Sequence, residues 1–152
     1  MKKLLLSIFI LLCFNPSAYS NDFATHLLSK TKALKNIAYG PHPQQAMDVY
    51  FPTQPLTDKT PAPLIVMVHG GAWTIGDKNN AAVVKNKMDY WNKQGWVFIS
   101  INYRLVPDAT LQQQTQDIAE ALIYIQNQAP NWHADSKRLV LMGHSAGAHL
   151  VS

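Results

Sequence analysis

Arg138-Leu139-Val140-Leu141-Met142-Gly143-His144-Ser145-Ala146-Gly147 is the stretch from which the fold can be read. Its first half is continuously apolar from Leu139 to Met142, which a strand requires when both of its faces are covered, as in a parallel sheet. Its second half is a G-x-S-x-G pentapeptide. Glycines two before and two after a serine let a strand and the helix that follows it approach without Cβ clashes, and the serine between them sits on a strained turn. Such a turn throws the hydroxyl out at the carboxyl end of the sheet. The pentapeptide alone is short and arises by chance in many chains. A glycine-rich strand-to-helix turn with an incidental serine is the alternative, and the setting weighs against it: a buried strand lies before, and a segment from Ala148 that can open a helix lies after.

Working outward, Leu64-Ile65-Val66-Met67-Val68 and Trp96 to Ile101 are two further apolar strands. Ala81 to Gln94 carries Val84, Met88 and Trp91 at helical spacing, with Gly95 as a C′ stop. Leu111 to Gln128 is the second helix, with Ile118, Leu122 and Ile125 on one face. Upstream, Asn36 to Tyr39 and the alternating run Met47 to Phe51 are strand candidates, and Gln54 to Pro63 is a polar, Pro-rich connection. Strand, helix, strand, helix, strand predicts an α/β fold with a mainly parallel central sheet and helices on both faces.

A second motif, His69-Gly70-Gly71-Ala72-Trp73, also stands at the carboxyl end of a buried strand. Small residues there let backbone N–H groups converge where negative charge develops on a tetrahedral intermediate. Gly71 and Ala72 would act together with Ala146, the residue after the serine. Each such donor typically contributes about 3–4 kcal/mol to the transition state. A glycine turn built only for packing is the competing reading.

HGGAW with Gly76-Asp77-Lys78, Asn102-Tyr103-Arg104-Leu105 and GHSAGAHL together resemble the α/β-hydrolase esterases related to hormone-sensitive lipase. Nearest within them is the group of feruloyl/acetylxylan esterase-like proteins and kynurenine formamidases. The resemblance spans roughly Asn36 to Ser152. It implies an α/β-hydrolase fold, Ser145 as nucleophile, Gly71, Ala72 and Ala146 as the oxyanion hole, and His69 as the residue that orients the oxyanion loop. Ala72 stands where many such lipases have a third glycine, and His144 where many have aspartate.

In this fold the acid and the base follow the nucleophile in chain order. The residues after Ser145 include no carboxylate, and their one histidine, His149, lies on the same short helix that the elbow turns away from. His149 therefore reads as a polar helix residue, Asp117 as a surface or capping carboxylate, and His26, His42 and His133 as solvent-facing. His144 and His149 are not at the spacing that puts two metal ligands on one helical face, so no metal is expected. No cofactor is needed for acyl transfer to water. With the elbow strand central in the family's sheet, stopping at Ser152 would leave an apolar edge unpaired, so residues 21–152 read as the N-terminal part of the hydrolase domain, truncated after the elbow.

The amino terminus reads as an export signal over residues 1–20. Lys2-Lys3 precede an apolar run from Leu4 to Phe14, and Ala18-Tyr19-Ser20 offers small residues for cleavage near Ser20. The run is short of the roughly 20 residues of a membrane span, so no stable membrane anchor is expected. This predicts a secreted or periplasmic protein. Cys13 is the only cysteine, so the processed chain folds without disulfides. The formal charge of +4 includes Lys2 and Lys3, and no basic run argues for nucleic acid. Oligomeric state is not legible. Three functions stay open: a serine ester hydrolase on a small-molecule substrate, an arylformamidase-type amide hydrolase, and a non-catalytic hydrolase-like binding module or inactive truncated product. Export favours the ester.

Overall fold

A computed structural model describes residues 32–57 and 59–152. The leader, His26 and most of the amphipathic segment that begins at Phe23 lie outside the described residues.

Five strands form one sheet: β1 Ala33–Ala38, β2 Ala46–Tyr50, β3 Ala62–Val68, β4 Val97–Ile101 and β5 Ala134–Gly143, in the order β1-β2-β4-β3-β5. β1 and β4 both pair antiparallel with β2, while β3 pairs parallel with β4 on one side and with β5 on the other. Parallel neighbours need long crossovers. Here these contain the helices α1, Ala81–Lys93, and α2, Leu111–Gln128; a short helix α3, Ala146–Val151, follows β5.

β3 is buried at every position, and its side chains alternate between two cores. Leu64, Val66 and Val68 pack with Ile118, Ala121 and Ile125 of α2 and Leu150 of α3. Ile65 and Met67 pack with Val84 of α1, with Met88 and Trp91 against them. Helices therefore cover both faces, which is why β3 has no polar position to spare. Fully burying the five residues Leu64 to Val68 contributes on the order of 10 kcal/mol before chain entropy is counted.

The helix ends follow local chemistry. The Thr110 side chain accepts from the Gln113 N–H and the Gln113 side chain accepts from the Thr110 N–H, a reciprocal capping box at the start of α2. Asn80 caps α1 by accepting from Ala82 N–H at 3.2 Å, and Gly95 follows its last turn at φ 82°.

β5 departs from its sequence reading in two ways. It begins at Ala134 rather than Arg138, because Ala62 pairs with Ala134 before the ladder bulges. Apolar patterning could not show pairing in so polar a stretch. It also stands at the edge of the described sheet, so Val140 is 43% exposed and its neighbours are half-buried rather than covered on both faces.

Candidate active site

The turn after β5 holds Ser145 at φ 53°, ψ −119°, a conformation that costs an L-residue about 1–3 kcal/mol. Its neighbours impose it. Gly147 N–H donates to His144 O at 2.9 Å, Ala148 N–H to Ser145 O at 2.9 Å, and His144 N–H to Val68 O at 3.0 Å, which ties the turn to the end of β3. A Cβ on Gly147 would strike the carbonyl oxygens of Val68 and His69, and one on Gly143 would strike Gly147 and Ala148. The glycine spacing is therefore steric, and Ser145 is left exposed.

The loop after β3 meets this turn. A Cβ on Gly70 would lie 2.6 Å from His144 O and 2.9 Å from Ser145 Cβ. Gly71, Ala72 and Trp73 follow at φ 128°, 49° and 63°, three successive residues with left-handed backbone. Thr74 and Ile75 N–H close the turn onto Gly71 O, so closely that a Cβ on Gly71 has no room against Ile75 O.

His69 sits beneath, 1% exposed, its ring stacked on Tyr103 at 4.6 Å between centroids. The Tyr103 hydroxyl donates to His69 O, and His69 Nδ1–H donates to Gly70 O at 2.7 Å. Burial pushes the imidazole below its usual pKa, although the Gly70 carbonyl and the charge of Asp77 pull upward. The unfolded chain takes up this proton near 6.5, and the folded chain only at lower pH. Stability from this group is thus full above about 6.5 and falls as pH drops below it, by at most about 1.4 kcal/mol per unit until the folded value is passed. Asp48 and Asp77, both held below the usual carboxylate range, act only below about 4. The urea midpoint should fall between pH 7.5 and 5.5, and His69→Asn should flatten that slope; an unchanged slope would assign it elsewhere.

The far end of the loop is pinned by residues whose part sequence patterning did not reveal. Asn102, just past β4, accepts Lys78 N–H at 2.5 Å and donates to Asp77 at 2.9 Å, while Ser100 donates to Lys78 O. The Lys78 ammonium is buried, donating to Asn36 Oδ1 at 2.8 Å and facing Asp48 at 3.3 Å. Burial works to raise the Asp48 pKa, but the Asn36 N–H, Lys35 and Lys78 more than offset it. Asp77 and Lys78 are thus anchored on Ser100 and Asn102 at the end of β4.

The turn and the loop border one cleft of about 370 Å³, lined by Gly70, Gly71, Ala72, Ser145 and His144, with Ile75, Gly76, Asn80 and Val83 opposite. Of the expected site residues, Ser145, Gly71 and Ala72 are brought together here, and Ala146 follows, buried at the first position of α3. Among the described residues, the N–H groups of Gly71, Ala72 and Ala146 donate to no protein acceptor. No described side chain bonds the Ser145 hydroxyl. His149 is exposed, its ring edge-on to Trp73 at 5.6 Å.

Two histidines and one carboxylate need correction or placement. His42 is half-buried, its ring accepting from Gln44 N–H, and His133 is half-buried at the end of a 3₁₀ turn, so neither is simply solvent-facing. Asp117 is no surface carboxylate: it is fully buried, gripped by the Arg104 guanidinium and the Arg104 N–H and also accepting from Gln45 Nε2. Among the described residues no group of three or more His, Cys, Asp or Glu could hold a metal, and no helix is long and apolar enough to cross a membrane.

Known proteins resemble this chain. The BD-FAE family profile matches residues 47–152. A probable isoprenylcysteine alpha-carbonyl methylesterase of Oryza sativa subsp. japonica is 30% identical over 80% of this chain, and esterase LipQ of Mycobacterium tuberculosis is 30% identical over 77%. The chain spans 28% and 27% of the lengths of those two proteins. Among solved structures, esterase B from Lactobacillus rhamnosis is 28% identical, with a TM-score of 0.68 over 89% of this chain and 43% of that one. The fold is that of an α/β-hydrolase.

Proposed function

Since the chain belongs to the BD-FAE family, we propose that it carries the nucleophile and oxyanion hole of a serine carboxylic ester hydrolase. One observation carries the reading: an exposed, strained serine and the unbonded amides of Gly71 and Ala72 border the same cleft. Positive φ at Ala72, Trp73 and Ser145 is costly in a protein that only packs or binds, and amides left open to the cleft are useful where charge appears on a carbonyl oxygen.

Ser145 Oγ attacks the ester carbonyl carbon, and the carbonyl π pair moves onto oxygen. That oxygen is received by the N–H groups of Gly71, Ala72 and Ala146. Collapse expels the alkoxide, which takes the former Oγ proton from the general base and leaves as the alcohol, and water repeats the cycle on the acyl-enzyme. The proton from Oγ needs a general base. We do not assign that base to His149, whose ring packs edge-on to Trp73. With the leader expected over residues 1–20, the site belongs to an exported enzyme. The apolar Ile75 and Val83 on the cleft wall suit a small-molecule ester with a compact acyl group.

A fluorophosphonate probe tests the assignment. The expected result is one covalent adduct, on the peptide containing Ser145, formed at the rate at which ester hydrolysis is lost. Active protein with no adduct there would overturn it. Comparing an acetyl ester with an N-formyl aromatic amine separates ester from amide hydrolysis, with the ester the faster substrate expected.

A further inference from the structure

The oxyanion loop holds Ala72 and Trp73 at positive φ without glycine at either, inside a turn that the Thr74 N–H closes onto Gly71 O at 3.1 Å. The hydrogen bonds within the loop end on Gly71 O, which leaves the direction of the Trp73 carbonyl to partners from outside it. Two donors from elsewhere grip the Trp73 carbonyl. One is the Val106 N–H at 2.9 Å, from the segment between β4 and α2. The other is Gln114 Nε2 at 2.9 Å, from the first turn of α2.

Gln114 is an unusual residue for its place. It is fully buried, one turn above Ile118 on the inward face of α2, where an apolar side chain would serve packing better. Among the described residues its Oε1 has no partner, so the amide is retained at a cost for the sake of the bond it donates to Trp73 O. That bond crosses 41 residues of chain and ends on the loop whose amides face the cleft. We infer that Gln114 is a positioning residue for the oxyanion hole: by holding the Trp73 carbonyl it fixes the peptide planes of Gly71 and Ala72, and hence the direction of their N–H groups. The inference rests on the proposed esterase reading of the same site.

Gln114→Met keeps the length and the burial and removes the donor. A second variant, Gln114→Asn, is too short by one methylene to reach Trp73 O and serves where the first folds poorly. Both are measured in the intact protein as its native source makes it, with kcat and KM for a short-chain ester. Each is also titrated with a trifluoromethyl ketone, to which the serine adds to give an alkoxide in the oxyanion hole, and with the product alcohol, which forms none.

The expected result is a 10- to 100-fold fall in kcat, a KM within about twofold of the parent, an equal loss of trifluoromethyl ketone affinity and unchanged affinity for the alcohol. A merely structural role would lower the folded fraction and leave kcat per active site, counted by exhaustive phosphonate labelling, as it was. That outcome overturns the inference, as does a parallel loss of ketone and alcohol binding. A parent protein that neither hydrolyses esters nor takes up the phosphonate sinks the esterase reading itself, before any variant is compared.

Discussion

On the proposed reading, Ser145→Ala should lower kcat for ester hydrolysis about 10⁶-fold, the scale on which removing a triad nucleophile acts elsewhere, leaving only what binding and the oxyanion hole supply. Ser145→Gly is as inactive, yet it raises the urea midpoint above that of Ser145→Ala. The two effects have one origin. At φ 53° and ψ −119° the Cβ of residue 145 is crowded by its own backbone, and alanine keeps that Cβ. Glycine removes it and relieves about 1–3 kcal/mol of strain, against roughly 0.5–1 kcal/mol of extra freedom in the unfolded chain. The net gain is about 1 kcal/mol. Measuring kcat and the urea midpoint in the same preparations checks both halves. Activity within tenfold of the parent in either variant would place the nucleophile elsewhere. A glycine variant less stable than the alanine variant would show that the turn is not strained.

How much of this was legible depends on the range of the interaction involved. The elbow is local: Gly143, Ser145 and Gly147 act across one turn and a strand end, so their spacing states the close approach that the turn requires. β3, α1, β4 and α2 were legible because burial from two sides leaves a continuous apolar run, and burial from one leaves a helical stripe. Gly71 and Ala72 were legible as a motif beside the elbow. The anchors that hold the loop were not. Lys78 meets Asn36 and Asp48 only because β1, β2 and β4 are neighbours in space, and a lysine in a polar stretch reads as solvated. Gln114 and Asp117 carried a signal that was there to be used. They fall at helical spacing with Ile118, Ala121 and Ile125, all buried in α2, so two polar residues stood on an apolar stripe. A polar residue on such a stripe must find a partner, and partners 13 to 72 residues away are what the sequence conceals.

That position makes Asp117→Ala the variant with the largest expected cost in stability. The carboxylate is fully buried and accepts from the Arg104 N–H at 2.9 Å, from Arg104 Nη2 at 2.6 Å and from Gln45 Nε2 at 2.9 Å. It thus joins α2, the chain after β4 and the turn before β2 at one point. Exposed ion pairs contribute little, but truncating the buried partner of a bidentate guanidinium leaves an uncompensated charge and unsatisfied donors, at about 3–5 kcal/mol. Arg104 keeps part of its side chain near solvent, which places the expected loss toward the lower end. Against a total of about 5–15 kcal/mol, this is a large fraction of the fold's reserve. Asp117→Asn is the sharper comparison. It keeps the shape and one acceptor for the Arg104 N–H, and turns an amide donor toward the guanidinium or Gln45. It should recover only part of the loss, because the arrangement calls for an acceptor on both sides. Urea unfolding at a common slope measures the differences, with kcat per labelled site read alongside. A loss below about 1 kcal/mol for Asp117→Ala would mean that the pair is solvated in solution and that the three segments are held by packing alone. The expected loss, with kcat per folded site retained, would separate this residue from Gln114 on the same helix face. Asp117 would then set how much protein is folded, and Gln114 how well the folded protein works.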